Sequence, residues 1–161
     1  MQITTATAIV LDTSPLGRLT KKRGAESTTE ACRSWYIALT KAGCRFFVPE
    51  IADYELRREF LRSRNLNAIQ RLDAFHSAEA DRYLTLSTPD IRLAAQLWAQ
   101  TRNKGNITAP PQALDADVLI AAQSLRLRPE RFGLTNVIIA TENVSHLATL
   151  ASSAHWSDIS A

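Results

Sequence analysis

Short apolar runs recur along the chain and predict a small set of buried strands. Ala8–Leu11 (AIVL) and Val137–Ala140 (VIIA) are uninterrupted apolar runs, as expected for strands covered on both faces. Arg45–Val48 and Tyr83–Leu86 are further short segments of β-rich composition. The pattern therefore predicts four strands.

Between the strands, apolar residues recur at helical spacing, and capping residues mark several helix ends. Gly43 predicts the end of one helix, and Pro49 predicts the beginning of the next. Ser87–Pro89 combines a capping residue with a proline that is typical of a helix start. The helix after Pro49 has these apolar positions: Ile51, Tyr54, Leu56, Phe60 and Leu61. The predicted helices are Thr28–Ala42, Pro49 to about Leu66, part of Ala68–Ala80, one beginning at Ser87, Leu114–Leu125, and a short one in Ser145–Leu150.

The alternation of strands and helices predicts an open α/β sheet, mostly parallel, with helices on both faces. The segment Asn103–Pro111 is rich in Gly, Asn and Pro and is predicted to be a loop. No repeat or linker divides the 161 residues, so residues 1–161 are expected to form a single domain. Sheets of this kind bind ligands beyond the carboxyl ends of their strands, which is where functional residues are expected.

The composition excludes several classes of protein. The chain is 45% hydrophobic and 22% charged, as in folded globular proteins. Its apolar runs are far too short to span a bilayer, and its N-terminus resembles no signal peptide. We therefore expect a cytoplasmic protein without a membrane segment.

Cysteine and histidine give no sign of a metal or disulfide framework. Cys32 and Cys44 are too few for a four-ligand zinc site, and the three histidines lie far apart without ligand spacing. We interpret all five residues (Cys32, Cys44, His76, His146 and His155) as packing or surface residues.

The charge is mildly basic, at +3 with a pI of about 9.1, which is compatible with nucleic-acid binding but does not establish it. Basic residues cluster in Arg18–Arg23, Arg57–Arg64 and Arg126–Arg131. Each cluster taken singly is more typical of a solvated face or loop.

Polar residues follow the first and last predicted strands. Asp12 comes directly after Ala8–Leu11, where it would either project into the crevice or cap the turn Asp-Thr-Ser-Pro. Thr141 and Asn143 follow the last strand, where capping of the next helix is the simpler interpretation. Parallel strand ends lie close together, so Asp12 and Asn143 are expected near one site.

Two helices carry further carboxylates. Asp115 and Asp117 lie at the predicted start of Leu114–Leu125, and Asp115 is the better candidate for a plain N-cap. Asp117 shares a small, apolar face with Ile120 and Ala121, where a charge is costly unless it is paired. Glu55 lies inside its helix, with a salt bridge to Arg58 as the alternative explanation.

Carboxylates that converge on one crevice repel one another and call for a cation. Oxygen ligands without Cys or His favour Mg²⁺ or Mn²⁺ over zinc. Such a site suits phosphoryl transfer to water.

Four motifs in order resemble the PIN-domain family, particularly the VapC-like toxins of prokaryotic toxin–antitoxin pairs. They are IVLDTSPL, VPEIADYELRRE, LDADVLIAAQ and VIIATENVSHL, and together they run over nearly the whole chain. The resemblance implies a three-layer α/β/α sandwich with a short parallel sheet. It also implies an acidic pocket that binds Mg²⁺ or Mn²⁺ and cleaves RNA.

The same resemblance assigns roles to individual residues. It implies that Asp12, Glu55 and Asp117 hold the metal and that Asn143 occupies a fourth, more variable position. The accessory positions are Thr141, through its hydroxyl, and Asp115, as an outer ligand. Arg57, Arg58 and the basic clusters would hold the RNA backbone. Family members are usually dimers blocked by a small antitoxin, so a homodimer and an antitoxin partner are expected.

Other functions fit less well. A haloacid-dehalogenase-like phosphotransferase wants a second acid two residues after the first, whereas Asp12 is followed by Thr13 and Ser14. Neither G-x-G-x-x-G nor G-x-x-x-x-G-K-[ST] occurs, which disfavours a nucleotide-binding fold. The remaining alternative is a catalytically inactive PIN-like module that binds RNA or protein, because Asn143 stands where an aspartate would complete a second metal site.

Overall fold

A computed structural model describes residues 1–3, 6–24, 26–103 and 111–161. Five parallel strands form one sheet in the order β3-β2-β1-β4-β5. The strands are β1 Thr7–Leu11, β2 Arg45–Pro49, β3 Tyr83–Leu84, β4 Asn136–Thr141 and β5 Ser153–His155. The helices are α1 Thr13–Thr20, α2 Ser27–Lys41, α3 Glu50–Arg62, α4 Leu66–Ser77, α5 Thr88–Asn103, α6 Pro111–Arg126 and α7 Val144–Leu147.

The sheet separates two apolar clusters because side chains alternate along each strand. Ile9 and Leu11 of β1 face a cluster that also contains Leu16 of α1 and Leu39 of α2. Ala8 and Val10 of the same strand face a second cluster that contains residues of α6 and α7. Helix α5 packs on α6 from outside. The chain thus has the predicted α/β/α arrangement.

The continuous apolar runs correctly predict the central strands. All five residues of β1 are buried, as are the last four of β4, because both strands are covered by helices on both faces. Within the described ranges, no helix combines the length and the apolarity that a bilayer span requires.

Two elements were missed from the sequence. No helix was predicted between β1 and α2, and Asp-Thr-Ser-Pro was considered only as a possible turn. In the structure Asp12 caps helix α1, and Pro15 lies in its first turn. Gly17 lies where α1 approaches α3, since a Cβ there would be 3.2 Å from Cδ2 of Leu56. The short edge strand β5 contains a single apolar residue, Ala154, and so gave no signal.

Several helix boundaries and faces also differ from the prediction. Helix α3 ends at Arg62 rather than near Leu66, because Leu66 begins α4 with Asn65 as its cap. Tyr54 and Leu61 are exposed at 56% and 57%, so they do not belong to the buried face of α3. The buried positions of that helix are Ala52 and Asp53.

Helix α6 begins at Pro111, three residues before the predicted start. Within the predicted loop Asn103–Pro111, residues 104–110 lie outside the described residues. Asn103 ends α5. The earlier start places Asp115 and Asp117 inside α6 rather than at its N-terminus, which changes the role available to Asp115.

Candidate functional site

A polar cleft of about 650 Å³ opens at the carboxyl ends of β1 and β4. Asp12 follows β1, Asp117 comes from α6, and Glu142 and Asn143 follow β4; all four line the cleft. Parallel pairing of β1 with β4 joins these strand ends, with Leu11 opposite Ala140. The topology therefore brings together residues that lie up to 131 positions apart in the sequence.

Asp12 serves both as a helix cap and as a group in the cleft. Its Oδ1 accepts a 2.6 Å hydrogen bond from the backbone N–H of Thr13, and its Oδ2 accepts one of 2.6 Å from Oγ1 of Thr141. Burial raises the pKa of Asp12, and these two bonds oppose the rise. The two interpretations left open by the sequence are therefore compatible.

Asp117 lies on the face of α6 that carries the buried residues Ile120 and Ala121, as its spacing predicted. Burial raises its pKa to about 6, and the neighbouring Asp12 carboxylate adds to the rise. Its Oδ2 lies 3.5 Å from Nδ1 of His146, which lowers the pKa in part. Asp117 is thus a carboxylate whose charged form is poorly stabilised by the protein itself.

Glu55 is held at the margin of this cleft. Oγ1 of Thr13 donates a 2.6 Å hydrogen bond to its Oε2, while Nη2 of Arg58 lies 3.8 Å from Oε1. The charge of Glu55 raises the pKa values of both Asp12 and Asp117. As the side chains stand, no three acidic, His or Cys groups of the described residues form a ready-made metal cluster.

Thr141 and Asn143 complete the end of β4. Thr141 is fully buried, and its hydroxyl both donates to Asp12 and accepts a 2.8 Å bond from the N–H of Asn143. Asn143 precedes α7 but makes no side-chain capping bond to it. Its Nδ2 lies 2.9 Å from Nδ1 of His146, so the amide is oriented within the cleft.

The structure does not bring Asp115 to this site. Asp115 lies two residues before Asp117 on α6, and positions two apart point in different directions on a helix. It borders instead a separate pocket together with Ala94 and Trp98 of α5. The expected role of Asp115 as N-cap is wrong, because α6 already begins at Pro111. Its role as an outer metal ligand stays a prediction.

Arg57 and Arg58 have different environments. Arg57 makes a two-pronged ion pair with Asp53 at 3.0 and 2.8 Å and a further bond of 2.6 Å to Asp73. These carboxylates raise the pKa of Arg57 and hold its guanidinium against the protein. Arg58 is 54% exposed next to Glu55 and remains open to an external anion. Of the pair, Arg58 is the more exposed, and the RNA contacts of both residues stay predictions.

Three further residues belong to the site without having been predicted. Thr13 binds Glu55, His146 lies beside Asp117, and Glu142 pairs with Arg18 and accepts a 3.0 Å bond from Nε1 of Trp156. His146 was interpreted as a packing or surface residue because the three histidines lie far apart without ligand spacing. Its position three residues after Asn143, across one turn of a helix, was the available signal.

The donor set fits a hard divalent cation. Asp12, Asp117 and Asn143 present oxygen atoms to the cleft, and Glu55 stands at its edge. Burial is the main reason why the pKa values of Asp12 and Asp117 are raised, and neighbouring carboxylates add to the rise, so a bound cation would stabilise both charged forms.

Solved structures with the same fold come from toxin–antitoxin systems. FitAcB from Neisseria gonorrhoeae has a TM-score of 0.64 at 18% identity, over 92% of this chain and 97% of that chain. VapBC2 from Rickettsia felis, bound to a DNA fragment from their promoter, has a TM-score of 0.64 at 16% identity, over 92% and 98%. VapBC-1 from nontypeable Haemophilus influenzae has a TM-score of 0.60 at 17% identity, over 92% and 98%.

No protein-family model and no curated protein matches the sequence of this chain. At this level of identity the structural likeness establishes the fold. The neighbours are PIN-domain toxins, so the PIN-like α/β/α fold that the four motifs indicated is confirmed. The assignment of individual residues as metal ligands stays a prediction.

Proposed function

We propose that this protein is a Mg²⁺- or Mn²⁺-dependent endoribonuclease and the toxin of a type II toxin–antitoxin pair. The observation that carries the proposal is the pairing of Asp12 and Asp117 across one cleft, both with raised pKa values, at the carboxyl ends of parallel strands. The same end of such a sheet is where open α/β folds bind their ligands. The shared fold with toxin–antitoxin structures supports the same assignment.

In this proposal, Asp12, Asp117 and Glu55 hold the metal, and the amide oxygen of Asn143 completes the donor set. A bound divalent cation supplies activation of water and stabilisation of charge on the leaving oxygen. Thr141 fixes the rotamer of Asp12 through its hydroxyl. Arg58 contacts the phosphate backbone of RNA through its exposed guanidinium. Cleavage leaves a 5′-phosphate and a 3′-hydroxyl.

A small antitoxin is the proposed protein partner. Structures of FitAB and VapBC complexes share this fold, which supports a partner of that kind. We also propose a homodimer in the cytoplasm. Tyr54 and Leu61 lie seven residues apart on the exposed face of α3 and are more than half exposed, as apolar residues at a helix-mediated interface would be in the isolated chain.

The competing function is an inactive PIN-like module that binds RNA or protein. Asn143 in place of a fourth carboxylate favours it. The presence of Asp12, Asp117 and Glu55 disfavours the inactive module. The buried carboxylates of Asp12 and Asp117 destabilise the fold unless a cation binds to them.

Cleavage of an RNA pool by the purified protein tests the proposal. Wild-type protein, Asp12→Asn and the matched surface variant Asp158→Asn are incubated with structured and unstructured RNAs in Mn²⁺, in Mg²⁺ and in EDTA. We expect metal-dependent cleavage by wild type and Asp158→Asn and none by Asp12→Asn. Equal cleavage by all three would remove Asp12 from the site.

Absence of cleavage by every protein is resolved by thermal unfolding of the same samples. If Mn²⁺ stabilises the wild-type protein but not Asp12→Asn, the proposed metal site is supported, and the lack of cleavage indicates a narrow RNA specificity. No stabilisation by Mn²⁺ would favour the inactive module. The dimer is tested separately by light scattering on wild type and Tyr54→Lys/Leu61→Lys, where an unchanged mass would contradict the α3 interface.

A further inference from the structure

A second polar pocket lies apart from the acidic cleft, at the end of α6. It has a volume of about 390 Å³ and is bordered by the end of β3, the start of α5, the end of α6 and residues 127–132. None of the residues that line it lines the acidic cleft. Its chemistry is also different, since it contains three arginines.

Gln123 lines this pocket and carries a buried acceptor that no described residue satisfies. The residue is 4% exposed, and its Nε2 donates a 2.7 Å hydrogen bond to the carbonyl oxygen of Leu84. That bond fixes the orientation of the amide, because the reversed amide would place two oxygens against each other. Oε1 of Gln123 is buried and has no hydrogen-bond partner among the described residues. A buried acceptor of this kind calls for an N–H or O–H donor from outside the described chain.

Two of the three arginines are available for an anion. Arg126 is bound to Asp90, with 2.8 Å between Nε and Oδ1, and both hydrogen bonds that Ser87 donates also go to Asp90. Arg128 and Arg131 are exposed and form no ion pair with any described residue. With Asp81 and Asp90 also at the rim, the pocket keeps a formal charge of +1, from three arginines and two aspartates.

We propose that this pocket binds a nucleotide, with its phosphate on Arg128 and Arg131 and an amino or imino group of its base on Oε1 of Gln123. Guanidinium groups suit phosphate because their donors match its oxygens. The volume lies in the range of ligand pockets, about 300–1,000 Å³. The ligand is either a free nucleotide or one nucleotide of an RNA strand. Binding here requires neither the metal nor cleavage, so the site stands independently of the proposed nuclease activity.

Isothermal titration in EDTA tests this site without any contribution from a metal in the acidic cleft. The probes are adenosine and cytidine 5′-monophosphate, with ribose 5-phosphate, which has no base, and inorganic phosphate for comparison. The variants are Arg128→Ala/Arg131→Ala and Gln123→Met. The control is Lys41→Ala, which removes a positive charge from an exposed residue at the end of α2, outside the three basic clusters.

We expect saturable binding of the monophosphates that falls at least tenfold in Arg128→Ala/Arg131→Ala and stays unchanged in the control. Ribose 5-phosphate should bind more weakly than the monophosphates in wild type, and Gln123→Met should close that gap. If Gln123→Met does not fold, the arginine variant and the comparison with ribose 5-phosphate in wild type still test the proposal. Displacement by a short single-stranded RNA identifies a strand as the ligand, and its failure identifies a free nucleotide.

Three results would overturn the proposal. The first is the absence of saturable binding by wild type, and the second is an equal loss of affinity in the control, which would mean unspecific charge attraction. The third is equal binding of ribose 5-phosphate and the monophosphates, which would leave Gln123 without a role. None of these bears on metal-dependent cleavage, so failure here is distinguishable from failure of the nuclease proposal.

Discussion

The hydroxyl of Thr141 donates a 2.6 Å hydrogen bond to Oδ2 of Asp12, and both residues stand at the ends of adjacent parallel strands. The same hydroxyl accepts from the N–H of Asn143. One buried oxygen thus joins the first carboxylate of the cleft to the segment that carries Asn143 and His146. Several properties of the cleft depend on this bond.

Thr141→Val should destabilise the protein and weaken its affinity for Mn²⁺. Valine has a similar shape but leaves an oxygen of Asp12 and the N–H of Asn143 without their partner, at a cost of about 1–3 kcal/mol. The free energy of unfolding is measured by urea denaturation and Mn²⁺ affinity by calorimetry. Thr141→Ser keeps the hydroxyl and should retain most of the metal affinity; equal effects of Val and Ser would contradict a role for the hydrogen bond.

Asp117→Asn should stabilise the metal-free protein at neutral pH. Burial raises the pKa of Asp117 to about 6 from 3.8, so the folded protein binds this proton more tightly than the unfolded chain. The contribution of Asp117 to stability therefore falls as the pH rises from about 4 to about 6, and stays low above that range. The shift corresponds to at most about 3 kcal/mol.

Urea denaturation in EDTA at several pH values measures this effect. The difference in unfolding free energy between Asp117→Asn and wild type should grow in favour of the variant from pH 4 to pH 6.5. In Mn²⁺ the order should reverse, because the variant lacks a ligand. A difference that does not depend on pH would show that the carboxylate is not perturbed.

Arg57→Ala should reduce stability rather than RNA affinity. Asp53 is 6% exposed and depends on the two-pronged contact with Arg57. Loss of one partner of a largely buried ion pair costs about 2–4 kcal/mol, with allowance for the partial exposure of Arg57. Urea denaturation measures the cost, and Arg57→Ala/Asp53→Asn should recover part of it. Unchanged stability with weakened RNA binding would restore the original interpretation of Arg57 as an RNA contact.

Arg58→Ala should have opposite effects on two ligands. Removal of a cation 3.8 Å from Oε1 of Glu55 should raise Mn²⁺ affinity by about two- to fivefold, the range expected of an exposed ion pair. RNA affinity should fall, and the dependence of log K on log salt should become shallower by about one. Arg62→Ala, one turn further along α3 and paired with Glu59, is the control. If Arg62→Ala changes Mn²⁺ and RNA affinity as much as Arg58→Ala does, the effects come from the overall charge of the protein and not from the position of Arg58.

The sequence by itself determined the central strands and the ends at which polar residues gather. Ala8–Leu11 and Val137–Ala140 are runs in which every residue is apolar. Such runs predict strands that are buried on both faces, and both strands are buried in the structure. Asp12 and Asp117 could both be predicted as site residues. Asp12 directly follows a strand, and Asp117 interrupts an apolar helix face. Both signals are local.

Only the tertiary structure decided which polar groups meet. On α6, Asp117 lines the cleft and Asp115 borders another pocket, and contacts across elements joined Thr13 to Glu55 and His146 to Asp117. The same holds for Arg57 and Arg58, which are adjacent in sequence but differ because Asp53 and Asp73 engage just one of them. Such contacts depend on where each helix begins and on how it packs, and these are set by distant residues that the local pattern does not contain.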